Sequence, residues 1–89
     1  LNNKVMAISP ELLEDNLLEE CDTIENYLDA KLACHKITVG HTVHVGIPDI
    51  MCKMHLNEIR SRYLDSGWLN VEWSVDDDFL IFYYYIYND

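Results

Sequence analysis

Apolar residues in the first third of the chain recur at the spacing of a helix. Leu13, Leu17, Cys21, Ile24 and Leu28 fall three or four apart and define a core-facing stripe. Leu18, Tyr27 and Leu32 widen it. Just ahead stands Ser9-Pro10-Glu11, a helix start in which serine caps, proline suits the first turn and a carboxylate sits at the positive end of the dipole. The pattern predicts a helix running to about Ala33, with Asp22-Thr23 as a place where it could break and recap. Residues 1–8 read as a partly disordered lead-in and residues 9–89 as a single domain.

The period then changes from helical to alternating. Ile37, Val39, Val43, Val45 and Ile47 alternate with Thr38, Thr42 and His44, which predicts a strand over Lys36 to Ile47. Gly40 within it marks a bulge or a tight bend. Gly46-Ile47-Pro48-Asp49 ends the strand and opens a second helix, whose buried stripe is Cys52, Leu56, Ile59 and Tyr63. Ser66-Gly67 stops that helix, with Gly67 as a left-handed cap.

A hairpin closes the chain. Val71, Trp73 and Val75 alternate with Asn70, Glu72 and Ser74, and Asp76-Asp77-Asp78 forms the turn. Phe79 to Tyr87 is an unbroken apolar and aromatic run, as expected of a strand flanked on both sides in its sheet. The second helix links two strands as a crossover, so those two run parallel, and the last strand reverses and lies between them. The expected fold is α+β: element order α-β-α-β-β, a three-stranded mixed sheet of order 1-3-2, and both helices packed on one face.

Composition fits one such domain. The chain has 89 residues and is 49% apolar, enough for a single core. Charge narrows the functions. Six Lys and Arg face sixteen Asp and Glu, a formal charge of −10. Phosphate backbones and anionic membranes would repel such a chain, so no direct nucleic-acid or membrane partner is expected. No apolar run is long enough to span a membrane, and the start lacks a signal-peptide pattern. Leu1 in place of Met points to a trimmed start. Three cysteines, Cys21, Cys34 and Cys52, make no even disulfide framework, and the reading is buried thiols in a reducing cytoplasm.

The densest set of potential ligands is Cys34, His35, His41, His44, Cys52 and His55, including His41-x-x-His44 and Cys52-x-x-His55. The spacing matches no standard zinc finger, and His41 and His44 point to opposite faces of a strand. Cys52 with His55, or Cys34 with His44, could pair as nucleophile and base, but nothing marks an oxyanion site or a phosphate loop. The expectation is a chain without enzymatic activity, cofactor or metal, and a Cys/His metal-stabilised domain or small enzyme is the outlying alternative.

The first helix carries Glu11, Glu14, Asp15, Glu19, Glu20, Asp22, Glu25 and Asp29 without one intervening base. Their mutual repulsion costs a few tenths of a kcal/mol per neighbouring pair. This acidic face is the candidate surface for a partner. The expected function is a small protein–protein interaction module, an inhibitor or assembly accessory acting on a basic partner surface. The alternative is a DNA-mimicking inhibitor of a nucleic-acid enzyme, with carboxylates spaced like phosphates. A second candidate surface is aromatic: Trp73, Tyr83, Tyr85 and Tyr87 on the sheet face that the helices leave open, suited to a partner or to self-association as a homo-oligomer. Asp76 to Asp78 read as a solvated turn rather than a cation site.

Overall fold

The computed structural model of the chain describes residues 8–35, 41–74, 76 and 78–85. Helix α1 spans Pro10–Ala33, and strand β1 spans Thr42–Gly46. A 3-10 turn over Lys53–His55 leads into helix α2, Leu56–Asp65, and strands β2, Asn70–Ser74, and β3, Phe79–Tyr83, follow. The α-β-α-β-β order is the expected one. Among the described residues no helix is long and apolar enough to cross a membrane.

Local chemistry sets the ends of these elements. The Ser9 hydroxyl accepts from the Leu12 amide at 3.1 Å, and Pro10 occupies the first helical position. α1 then continues without a break through Asp22-Thr23 for 24 residues, about 36 Å at 1.5 Å per residue. α2 closes with Gly67 at φ +109°. The Gly67 amide bonds to the Leu64 carbonyl and the Trp68 amide to the Tyr63 carbonyl, the paired bonds that a left-handed glycine permits. The second helix begins later than Pro48. Pro48 to Met51 form a turn closed by the Met51 amide on the Pro48 carbonyl, Met51 drops into the core, and Cys52 is still extended.

The sheet order is β1-β3-β2, and both ladders are antiparallel. The outer strands run parallel to each other as expected but never pair, so the sheet is antiparallel throughout rather than mixed. Register sorts the side chains cleanly. Val43, Phe82 and Val71 form one row across the sheet, and Val45, Leu80 and Trp73 the next. Those rows meet Cys21, Ile24 and Leu28 of α1 and Ile59 and Tyr63 of α2 in one core. Both helices thus cover the same face. Phe82 sits at the junction, edge-on to Tyr63 at 5.0 Å and to Trp68 at 5.3 Å between ring centroids.

Three expectations about burial are corrected. Leu13 is 55% exposed, because the first turns of α1 extend beyond the elements that cover the rest of its stripe. Cys52 is exposed as the residue capping the 3-10 turn rather than a member of the helix stripe. Cys34 is exposed at the end of α1, so of the three thiols Cys21 alone is buried. The expected strand over 36–40 with its Gly40 bend, and the end of the last strand with Tyr87, lie outside the described residues.

Register gives adjacent residues of β3 opposite fates. Replacing Phe82 by Ala should cost about 3–5 kcal/mol in urea unfolding. Replacing its neighbour Ile81, on the open face, should cost less than half of that. Equal losses would contradict the assignment of faces.

Candidate interaction surface

The eight carboxylates of α1 fall into two groups once α2 is in place. Arg62, largely covered, reaches back across the helix seam. Its Nη1 donates to Asp22 at 2.8 Å and to Glu25 at 2.9 Å, and its Nε donates to Glu58 at 2.8 Å. The three carboxylates hold the guanidinium proton more firmly than usual, the Glu58 hydrogen bond contributing most. The Glu58–Arg62 pair is local, four residues apart on one helix. Asp22 and Glu25 are tertiary partners.

Asp29 and Glu20 are engaged as well. The Tyr63 hydroxyl, buried in the seam, donates to Asp29 Oδ1 at 2.6 Å, and the Glu25 carbonyl oxygen lies 3.2 Å away. Burial, and then the hydrogen bond to Asp29, push the Tyr63 phenol well above its ordinary range. Burial likewise pushes the Cys21 thiol up, against an opposing pull from Arg62.

Glu20 lies 2.9 Å from Nε2 of His55, a side chain only 3% exposed. The other ring nitrogen, Nδ1, accepts the Cys52 amide hydrogen at 3.0 Å, while the Cys52 sulfur accepts the His55 backbone amide. An amide can only donate, so Nδ1 must carry the lone pair and Nε2 the hydrogen that goes to Glu20. Both nitrogens of the neutral ring are thereby used. Neither is left to ligate a metal, and the Cys52 sulfur, 3.5 Å from Nδ1, competes for a lone pair already taken. The pair that looks like nucleophile and base in the sequence is a reciprocal cap of the 3-10 turn.

The other potential ligands do not join it. His44 projects from the opposite face of the sheet and stacks on Phe79 at 4.9 Å, and the Cys34 sulfur donates to the Ala30 carbonyl of its own helix. His35 and His41 are exposed. Among the described residues no group of three or more His, Cys, Asp or Glu side chains is arranged to hold a metal ion.

Glu11, Glu14, Asp15 and Glu19 make no ion pair with any described residue. They surround apolar residues that are themselves exposed: Ile8 at 55%, Leu12 at 47% and Leu13 at 55%. A groove of about 480 Å³ lies along this end of α1, walled by Leu13, Leu17 and the exposed Met54 and edged by Glu14 and Glu20. Leu12 and Met54 are parts of this surface that the sequence pattern did not single out, and Leu13 is one it assigned to the core.

The aromatic candidates do not form one surface. Trp73 shares a row with Leu80 and Val45 on the helix-covered face, where it packs at the edge of the core and walls a cleft with Ile47, Pro48 and Met51. Tyr83 is on the open face beside Ile81 and Phe79, and its hydroxyl donates to the Glu72 carboxylate, which raises the phenol's pKa. Tyr85 is exposed just past the end of β3, and Tyr87 lies outside the described residues. The reason is parity: across the hairpin Trp73 and Tyr83 occupy rows of opposite facing.

The chain matches no model of a protein family, no curated protein and no solved structure.

Two outcomes test the seam. Arg62→Gln should lower stability by about 1–3 kcal/mol, by loss of charge-assisted bonds at a partly covered site. In roughly 1 M salt the same comparison should give a smaller difference, since carboxylate repulsion in the variant is then screened. The raised Tyr63 phenol also predicts alkaline unfolding. The unfolded phenol titrates near pH ~10, so its stabilisation is complete below that pH. It is lost as pH rises further, at up to about 1.4 kcal/mol per pH unit. Tyr63→Phe should remove that slope from urea-unfolding curves taken across the alkaline range, leaving the smaller thiol contribution of Cys21.

Proposed function

We propose that this protein is a binding module that engages a basic partner through the free N-terminal half of α1. The carrying observation is the exposed stretch from Ile8 to Asn16, in which carboxylates paired with no described residue flank exposed leucines. A solvated helix face would need the charges but not Leu12 and Leu13, and exposed apolar groups rimmed by charge are the makings of an interface. The complementary partner is a protein segment with Lys or Arg around one or two apolar anchors. The anchors enter the Leu13–Leu17–Met54 groove and the cations meet Glu11, Glu14, Asp15 and Glu19. An inhibitor and an assembly accessory would both use this surface.

The engagement of Asp22, Glu25 and Asp29 within the fold favours this reading over mimicry of DNA. The free carboxylates from Glu11 to Glu19 cover about 12 Å of helix axis, enough for two or three phosphates of one strand. That is a short imprint of a duplex, and leucines stand in its midst.

The test is binding to a partner recovered from lysate of the source cells, followed across a salt gradient. Joint replacement of Glu11, Glu14 and Glu19 by Gln and of Asp15 by Asn should weaken that complex roughly tenfold or more, and flatten its salt dependence. Leu13→Ser should weaken it with the salt dependence retained. Glu72→Gln, on the open sheet face, should change nothing. Undiminished binding by the neutralised variant would remove the α1 surface from the account.

A further inference from the structure

The two edges of the sheet are finished differently. In the β1–β3 ladder the Tyr84 amide donates to the His41 carbonyl and the Ile47 amide to the Asp78 carbonyl. Both are pairs directly opposite in the register that joins Thr42 to Tyr83 and Gly46 to Phe79. Hydrogen-bonded pairs alternate in an antiparallel ladder, so the odd-numbered residues of β1 bond to β3. Thr42, His44 and Gly46 must turn their N–H and C=O groups outward.

At the other edge Val71 and Trp73 of β2 are the outward residues, and Val71 is already sealed. Its carbonyl accepts from Arg60 Nε at 2.9 Å, and its amide donates to Asn70 Oδ1 at 2.9 Å. On β1 no described residue bonds the outward backbone groups. Thr42, His44 and Gly46 are all exposed, and a Cβ built on Gly46 would meet no atom within 4 Å. Thr42–Gly46 contains no Lys, Pro, Asp or Glu, the residues that usually guard a free edge.

We propose that β1 is the seat of a second copy of this chain, paired antiparallel about His44. The strand is complementary to itself. Turned about a two-fold axis, Thr42 stands opposite Gly46 of the mate, Val43 opposite Val45, and His44 opposite His44. Each outward N–H then meets an outward C=O. The valine pairs continue the apolar layer under the helices. The axis is perpendicular to the sheet, so a continuous six-stranded sheet forms with all helices on one side.

Charge selects this occupant. A chain of net charge −10 can meet its own copy at a strand that carries no Asp or Glu, without placing carboxylates face to face. The same pairing on β2 would set Glu72 against Glu72. A basic foreign segment gains nothing from β1, which offers it no anion. This inference is independent of the α1 surface.

The test is sedimentation of the wild-type chain from about 1 μM to about 1 mM, with amide hydrogen exchange measured over the same range. A dimer is expected, in which the amides of Thr42, His44 and Gly46 become protected in step with the dimer fraction. Val43 and Val45, bonded within the ladder, serve as references. His44→Pro removes an outward N–H that the monomer does not use and fills the edge with a ring; folded by circular dichroism, it should sediment as a monomer. A wild type that stays monomeric throughout overturns the proposal. So does a dimer whose three amides exchange at the same rate at every concentration, or one that persists in folded His44→Pro. Should that variant fail to fold, the amide rates alone decide.

Discussion

A helix bearing eight carboxylates and no base before Lys31 can lie against a second helix only if a cation stands in the seam. Arg62 supplies it. Its planar fork reaches Asp22 and Glu25 across the gap while Glu58 holds it from below, so no carboxylate there is left facing another uncompensated. Lysine would bring the charge without the fork and could not divide itself so evenly. The seam thereby helps hold α1 against the sheet, where Ile24 and Leu28 share one core with Phe82. It also decides which acids are structural and which are left for something else. The free end of α1 is defined by how far Arg62, Tyr63 and His55 extend.

The sheet is constrained in a similar way by what three strands can and cannot finish. β3 has apolar residues on both faces, yet two helices cover only one. Phe79, Ile81 and Tyr83 remain on the other side, moderated by His44 stacked on Phe79 and by the Tyr83–Glu72 bond. The edges show the same economy. α2 follows β2 closely enough for Arg60 to reach its backbone, whereas β1 precedes the turn that carries the chain away to Met51. The edge next to the crossover helix is closed by that helix at Val71, and no described side chain reaches the outward backbone of the far edge in the same way.

The Cys and His residues show how chemistry is decided by geometry rather than inventory. His55 and Cys52 are three apart, the spacing of a metal pair, but they bond each other's backbone amides and Glu20 takes the remaining nitrogen. A histidine whose two nitrogens are both spoken for is a structural residue, whatever its sequence neighbours suggest. Exposure of Cys34 and Cys52 removes buried thiols as a guide to compartment, leaving Cys21 alone as a core cysteine.

The chain's own pattern determined the element types and order, the start of α1 at Ser9-Pro10, its end at Ala33, the cap at Gly67 and the central place of β3. Those features rest on forces that act over a few residues: capping bonds, the period of apolar side chains, and the burial that an unbroken apolar strand demands. Tertiary structure alone decided that Leu13 is exposed while Leu17 is not, because periodicity marks a stripe without saying how far its cover extends. It decided that Glu20, Asp22, Glu25 and Asp29 are bonded, by partners more than thirty residues away in sequence, while Glu11 to Glu19 make no ion pair with any described residue. It also separated Trp73 from Tyr83, because the hairpin register sets which side chains share a face, and a two-sided apolar strand does not disclose its register.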